Sequence, residues 1–237
     1  MKKAFTLISL LFFIASSAQN DTARSTDNLH LYFGFGAAGQ RFGALNSRIA
    51  TRPEYQTLRK TEFAISLGFT RELDRFMLNY NLGIASSLSG DKTKKSSNMA
   101  IFSGSVNFGY NLSNNNKTRI APFVGFGVET FKATFNKDLS AIPFDSVLQS
   151  TSWQQKTLPL SFTNTFFVYR AGLAIDFISK TDSRFATGIR AGYTGSFRTK
   201  AWNINEEQSL SNAPADKLSA WFVTVQFMRK IRKHKHA

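Results

Sequence analysis

Cysteine is absent from this chain of 237 residues, and histidine occurs only three times. Disulfide bonds, thiolate nucleophiles and cysteine-based metal sites are therefore excluded, and a zinc site built from histidines is nearly excluded. Proline is also scarce, at five residues, whereas phenylalanine alone accounts for 24. Because aromatic side chains favour strands, the composition indicates a β-rich protein. We expect no cofactor.

Long apolar runs are missing as well once the first eighteen residues are set aside. A membrane-spanning helix needs about 20 consecutive apolar residues, and no later stretch offers them. A transmembrane strand needs only about 10 residues, of which every second one faces lipid. The sequence is therefore compatible with a protein that crosses a membrane by strands.

The start of the chain has the features of a secretory signal peptide. Lys2 and Lys3 precede an apolar stretch from Phe5 to Ala15, and Ser16, Ser17 and Ala18 form a small-residue cleavage site. We expect residues 1–18 to be removed, so that the mature chain begins at residue 19. A membrane anchor or a buried first strand is the alternative, but the run is short for a spanning helix.

Basic residues outnumber acidic ones by 30 to 15, which in a soluble protein would suggest nucleic-acid binding. An exported protein meets no chromosome, so we expect no nucleic-acid partner. The positive charge is instead available to anionic lipid surfaces and their phosphates.

Eight later segments alternate apolar residues with polar or small ones, which is the pattern of strands with one apolar face. In the first segment, Leu31, Phe33 and Phe35 alternate with Tyr32 and Gly34. The predicted strands span residues 29–37, 63–69, 76–84, 102–110, 120–129, 167–177, 185–197 and 221–227. No helical periodicity stands out after the signal peptide.

Charged residues within these strands lie opposite the apolar face, although they make up 19% of the chain. Long connections (38–62, 85–99, 131–165 and 198–220) alternate with short ones (70–75, 111–119 and 178–184). An apolar outside, a polar inside and long loops at one end are typical of outer-membrane barrels. We predict an all-β fold, an eight-stranded antiparallel up-and-down transmembrane β-barrel over residues 29–227. A ten-stranded variant, with an extra hairpin around Ser150 to Phe162, stays open.

On this eight-segment pattern, over nearly all of the mature chain, the sequence resembles the small outer-membrane β-barrel proteins of Gram-negative bacteria. That family includes the OmpA and OmpX type and porin-family barrel domains. The resemblance implies location in the outer membrane and insertion by the assembly machinery there. The family usually ends its last strand at an aromatic residue, here Phe227, whereas this chain continues as a basic tail over residues 228–237. We expect both termini, including the segment 19–28, to be periplasmic, and the protein to be monomeric.

Four charges lie in mid-strand on the predicted inner face: Glu129, Arg170, Asp176 and Arg190. They occupy consecutive strands, so we predict a lumen charge network in which Glu129 pairs with Arg170 and Asp176 with Arg190. Pairing would offset the desolvation of each charge, and arginine can bind a carboxylate through two hydrogen bonds. Four hydrated side chains in a water-filled channel are the alternative.

The first two long loops contain a second group of positive charges. Its members are Arg41, Arg48, Arg52, Arg59, Lys60, Lys92, Lys94 and Lys95. Phosphates of lipopolysaccharide would be their neighbours, so these residues are candidate lipopolysaccharide contacts, with an ordinary soluble loop surface as the alternative. The basic tail is interpreted as a solvated segment, with contact to membrane phosphates as its alternative.

We predict a non-enzymatic protein with a structural or surface-interaction role through its long extracellular loops. The resemblance extends to lipid-modifying barrels, whose sites use histidine and serine at the outer rim. Here His30 begins the first strand and His234 and His236 lie in the tail, so all are expected at the opposite end. A narrow pore for small solutes or ions is the alternative function, and an accessory role in envelope assembly also stays open.

Overall fold

The computed structural model describes residues 27–90, 95–114, 117–139, 142–149, 151, 158–179, 184–204 and 208–231. The expected signal peptide, Lys92, Lys94 and the tail beyond Ile231 lie outside these described residues. Neither of the two described helices is long and apolar enough to cross a membrane.

Eight long strands form the body of the protein. They are β1 (Asp27–Gln40), β2 (Thr61–Leu73), β3 (Phe76–Gly90), β4 (Ser96–Tyr110), β5 (Thr118–Asn136), β6 (Leu160–Ile178), β7 (Phe185–Ser196) and β12 (Ser219–Ile231). Four two-residue strands lie between β7 and β12: β8 (Lys200–Ala201), β9 (Asn203–Ile204), β10 (Gln208–Ser209) and β11 (Ala215–Asp216). Helix α1 (Gly43–Ala50) follows β1, and helix α2 (Phe144–Gln149) lies between β5 and β6.

The eight long strands close into an antiparallel barrel, because each pairs with its neighbours in the chain and β12 pairs with both β7 and β1. Residues that lie opposite each other in the strand register lead round the barrel from His30 through Thr70, Asn79, Asn107, Gly125, Arg170, Thr194 and Ala220 to Gln40. The circuit therefore returns to β1 ten residues beyond its start, between His30 and Gln40. Such an offset means that the strands are tilted relative to the barrel axis.

The predicted eight-stranded barrel is confirmed, and with it the resemblance to small outer-membrane barrels at the level of the fold. The ten-stranded alternative is wrong, because the sheet closes with eight long strands and Leu160 already belongs to β6. The short connections 74–75, 111–117 and 179–184 define the short-turn end of the barrel, and the opposite end is the long-loop end. The start of β1 and the end of β12 both lie at the short-turn end.

Several strands are longer than their alternating patterns indicate. Strand β5 continues to Asn136, but beyond Thr130 its apolar residues Phe131 and Phe135 face inward and Lys132 faces outward, the reverse of the predicted facing. The last strand continues past Phe227 to Ile231, which pairs with Leu29. The predicted boundary of the basic tail at residue 228 is corrected accordingly, since residues 228–231 belong to the barrel.

The exterior of the barrel is an apolar surface, as the alternation predicts. Val124 is 63% exposed and Leu82 is 51% exposed, although both are in mid-strand. Other exposed side chains on this surface are Leu31, Phe33, Phe35, Phe63, Leu67, Phe102, Phe108, Phe167, Leu173, Ile189, Trp221, Val223 and Phe227. Charged residues of the same face, Arg71, Lys132 and Arg229, lie near strand ends. An uninterrupted apolar band between charged ends matches the hydrocarbon layer of a membrane.

The cost of placing a charge on this face should depend on its depth in the apolar band, and this can be tested within one strand. Val124 and Thr118 lie on the same face of β5, Val124 in the apolar band and Thr118 at the short-turn end. We expect Val124→Arg to lower the free energy of unfolding by about 2–4 kcal/mol and Thr118→Arg by about 0–1 kcal/mol, because a buried charge costs most at the midplane. A urea titration in lipid bilayers measures both, and equal losses would contradict the assigned lipid-facing surface.

Candidate functional site

The long-loop end of the barrel is covered by an apolar cap, made from the connection 41–60 and the connection 197–218. Phe42, Leu45, Ile49 and Leu58 from the first, and Trp202 and Leu218 from the second, are all buried. They pack on inward-facing strand residues, namely Met99, Phe131, Ala133, Phe135, Phe166, Val168 and Ala220. Burial of this much apolar surface stabilises the two connections across the mouth of the barrel.

Helix α1 gives the cap two different faces. Leu45 and Ile49 are four residues apart, so they share the face that is buried against the barrel, whereas Arg48 is exposed. Phe42, just before the helix, makes edge contacts with Trp202 and Phe131, each with ring centroids 5.1 Å apart. The ring contacts link the two connections of the cap to the strand wall.

A single buried carboxylate holds the two connections together. Asp216 accepts hydrogen bonds from the backbone N–H groups of Ala44 (2.8 Å) and Leu45 (3.0 Å), in the first turn of α1. Its Oδ2 also accepts a bond of 2.8 Å from Trp202 Nε1. The side chain of Phe42 offers no cap to the helix, so Asp216 satisfies N–H groups that the helix cannot bond itself and places negative charge at its positive end. We call this arrangement the Asp216 clamp.

Below the cap, the lumen contains a cavity of about 120 Å³. At its upper end Gln40 Nε2 donates to Glu62 Oε1, and Glu129 lines the same cavity. Small side chains such as Ala64 and Ala85 face this part of the lumen and leave the space open. The cavity therefore combines two carboxylates with small apolar side chains near them, while Arg170 and Arg190 also line it.

Arg170 lies lower in the lumen. Its Nη1 donates to Ser105 Oγ at 2.8 Å, and its guanidinium carbon lies 4.4 Å from the centre of the Phe222 ring. Among the described side chains, no ion pair of 4 Å or less joins Arg170 to Glu129. The register explains the separation, because Glu129 is opposite Phe166 while Arg170 is opposite Gly125, four positions lower on β5.

The other two residues of the predicted lumen network are in direct contact. Arg190 donates to both oxygens of Asp176, at 2.6 Å and 3.2 Å, and both side chains are buried. Strands β6 and β7 are neighbours, with Asp176 opposite Gly188, so Arg190 reaches the carboxylate from two residues along. A bidentate, charge-assisted contact of this kind offsets the cost of burying the two charges.

A second charged cluster lies near the short-turn end and was not predicted. Arg119 pairs with Glu72, and His30 Nε2 lies 3.5 Å from the same carboxylate. The alternating pattern predicts turns at residues 70–75 and 111–119, so it gives no indication that Glu72 and Arg119 lie together near this end of the barrel. The placement of His30 at the short-turn end agrees with its position at the start of β1. In the described part of the chain, no three His, Cys, Asp or Glu side chains gather to hold a metal ion.

A network of amide side chains lines one side of the lumen, on strands β1 to β4. Tyr32, 2% exposed, donates to Asn81 Oδ1 at 2.8 Å. Asn107 Nδ2 donates to Asn79 Oδ1 at 3.1 Å, and Asn79 Nδ2 donates to Thr70 Oγ1 at 2.9 Å. The sequence pattern places Asn79, Asn81 and Asn107 on the polar face of their strands, but it does not predict the hydrogen bonds between them.

The outer surface of the cap is basic. Arg41, Arg48, Arg52, Arg59 and Lys60 are all exposed on the first connection. Lys95 donates to the backbone oxygen of Pro53 at 2.9 Å, while Lys92 and Lys94 lie outside the described residues. Further exposed cations at this end are Lys132, Lys137, Arg198, Lys200 and Lys217, against the exposed acids Glu54, Asp138 and Asp145. The described residues at the long-loop end therefore present a predominantly positive surface.

Comparison with known proteins gives a family and several similar folds. Residues 31–215, more than three quarters of the chain, match the family described as a domain of unknown function, DUF2715. No curated protein matches the sequence.

Solved structures with similar folds include Ail, the attachment invasion locus protein of Yersinia pestis, in complex with the heparin analogue sucrose octasulfate. It is 12% identical, with a TM-score of 0.49 and coverage of 85% of this chain and 98% of that chain. Neisserial surface protein A is 7% identical, with a TM-score of 0.49 and coverages of 86% and 97%. OprG of Pseudomonas aeruginosa is 11% identical, with a TM-score of 0.43 and coverages of 90% and 100%. At these identities the similarity transfers no ligand or activity.

The Asp216 clamp predicts how the cap responds to a minimal change. Asp216→Asn keeps the size of the side chain but removes one acceptor oxygen, so at least one buried N–H group loses its partner at a cost of about 1–3 kcal/mol. With Trp153 and Trp221 replaced by Phe, we expect acrylamide to quench Trp202 fluorescence much more strongly in Asp216→Asn than in the parent. Asp145→Asn, in exposed helix α2, is the matched control. Unchanged quenching in the folded Asp216→Asn barrel would show that the clamp does not hold the cap.

Proposed function

Because the chain belongs to the DUF2715 family, a domain of unknown function, we propose a role from its own geometry: a non-enzymatic outer-membrane barrel. In this proposal the barrel is closed at its outer end and contacts the phosphates of lipopolysaccharide through its basic cap. Residues 1–18 are removed on export, both termini face the periplasm, and the long loops face outwards. The closed sheet pairs both edges of every long strand, which supports a monomer.

Location in the outer membrane is supported by the apolar exterior of the barrel. Closure satisfies the backbone groups of the long strands within the sheet, as a structure crossing hydrocarbon requires. Short turns at the end that holds both termini and long loops at the other are the arrangement in which outer-membrane barrels face the periplasm with their turns. The assembly machinery of that membrane is then the expected partner during insertion.

The observation that carries the proposal is the two-faced cap. The same connections that bury Phe42 and Trp202 in the mouth of the barrel expose Arg48 and Arg52 to the outside. A closed mouth counts against an open pore for solutes and against a catalytic site that opens at the outer rim. What the cap leaves available is its basic outer surface.

Phosphate groups fit that surface on physical grounds. Arginine offers a planar set of donors that binds two phosphate oxygens at once, and it keeps its charge at any physiological pH. Arg41, Arg48, Arg52 and Arg59 lie on one connection, so several contacts can be made by one anionic layer. Because the groups are exposed, salt screens the attraction. The attraction should grow with the number of arginine side chains that contact the anionic layer together.

We expect the variant Arg48→Glu/Arg52→Glu to bind lipopolysaccharide less tightly than the unmodified chain, because two attractions become repulsions. Surface plasmon resonance of the folded barrel over immobilised lipopolysaccharide measures the change, and the loss should shrink as salt is raised. Arg75→Glu is the matched control, since Arg75 is an exposed arginine in the turn at the opposite end. Equal binding by the cap variant and the control variant would contradict the proposal.

A further inference from the structure

We propose that the upper lumen, between Glu62 and Glu129, is a binding site for a small solute that carries a primary ammonium group. The site lies beneath the cap, inside the barrel, and is separate from the basic outer surface to which the proposed function is assigned. Its ligand would be a short-chain amine, recognised by hydrogen bonds to the two carboxylates.

The space for such a ligand exists because small residues line this part of the barrel. Ala38, Ala64, Ala85 and Ala220 border the cavity near the two carboxylates, and Ile101 adds a larger apolar side chain. The volume of about 120 Å³ suits a small organic molecule. An apolar wall next to paired carboxylates fits a ligand with a charged head and a short aliphatic body.

Glu62 is the group that points most directly to a ligand. It is 2% exposed, its Oε1 accepts a hydrogen bond from Gln40, and its Oε2 has no hydrogen-bond partner in the protein. A buried carboxyl oxygen without a partner is costly, because it has lost its water without gaining a hydrogen bond. Asn107 and Gln226, lower in the same cavity and 7% and 4% exposed, also have side-chain oxygens without partners.

The charged residues around the cavity can accommodate one added positive charge. Glu62, Glu129 and Arg170 all line this cavity. The Arg170 guanidinium is engaged lower down by Ser105 and Phe222, and Arg190 is paired with Asp176. When Glu62 and Glu129 are both ionised, they and the Arg170 guanidinium sum to one negative charge, which a singly charged cation neutralises.

An ammonium group fits this site better than a bare point charge. It has three N–H donors, and the two carboxylates supply acceptors for at least two of them. Hydrogen bonds between charged partners are roughly twice as strong as neutral ones. A quaternary ammonium ion has the same charge but no N–H group, so it separates hydrogen-bonded recognition from simple charge attraction.

The test uses the full mature chain refolded into detergent in the presence of each probe, so that entry through the cap does not limit binding. The probes are methylammonium, tetramethylammonium and potassium chlorides at equal ionic strength. We expect methylammonium alone to raise the thermal midpoint and to broaden the ¹³C resonance of labelled methylammonium. Glu62→Gln should weaken this binding by about tenfold or more, as expected for loss of a charged hydrogen bond.

Two further variants make the outcome decisive. Glu129→Gln should also abolish the methylammonium effect, and it serves as the test if Glu62→Gln does not fold. Glu54→Gln, at an exposed loop position, should leave the effect intact. The proposal is overturned if methylammonium has no effect on the unmodified chain, if potassium or tetramethylammonium acts equally, or if the lumen variants respond like the unmodified chain. None of these results depends on lipopolysaccharide binding at the cap.

Discussion

Closure of the hydrogen-bonded sheet is the constraint on which the rest of this structure depends. Backbone N–H and C=O groups that face hydrocarbon find no water, so each strand needs a partner on both sides, and β12 provides the last one by pairing with β1. Eight strands enclose only a narrow interior. A large side chain in the lumen therefore needs a small residue beside it. For example, a Cβ on Gly68 would come within 2.7 Å of the Tyr32 hydroxyl oxygen. The absence of a side chain at Gly68 on β2 lets Tyr32 on β1 reach Asn81 on β3.

A narrow, poorly hydrated interior also dictates how charge is arranged. Arg190 uses both of its terminal nitrogens on Asp176, and Arg119 neutralises Glu72 near the short-turn end. At the long-loop end the solution is different, because apolar side chains of two connections fill the mouth and the Asp216 clamp joins them. Between these regions Glu62 and Glu129 share a cavity without an ion pair among the described residues, which sets them apart from the other lumenal acids.

The strand count, the facing of each strand and the end at which the termini lie could be predicted from the sequence, because lipid contact imposes strict alternation. Val124 and Leu82 are recognisable in this way from their neighbours alone. The cap could not be predicted, since Phe42, Leu45 and Trp202 occur in connections without periodicity and meet only through the closed barrel. The contact of Asp216 with α1 joins residues 172 positions apart, and no local pattern marks it. The predicted partner of Arg170 was displaced by register: a shift of four positions on β5 is invisible in a pattern of period two.

The central claim is that the cap closes the barrel, and single-channel recording tests it most directly. In planar bilayers the unmodified mature chain should show little or no steady conductance, because the buried side chains of Phe131, Phe166 and Trp202 occupy the mouth. A heat-modifiable, fully inserted preparation is required, so that silence reflects a closed barrel rather than a missing one. Large, steady conductance from that preparation would contradict the account and would favour a pore for small solutes or ions.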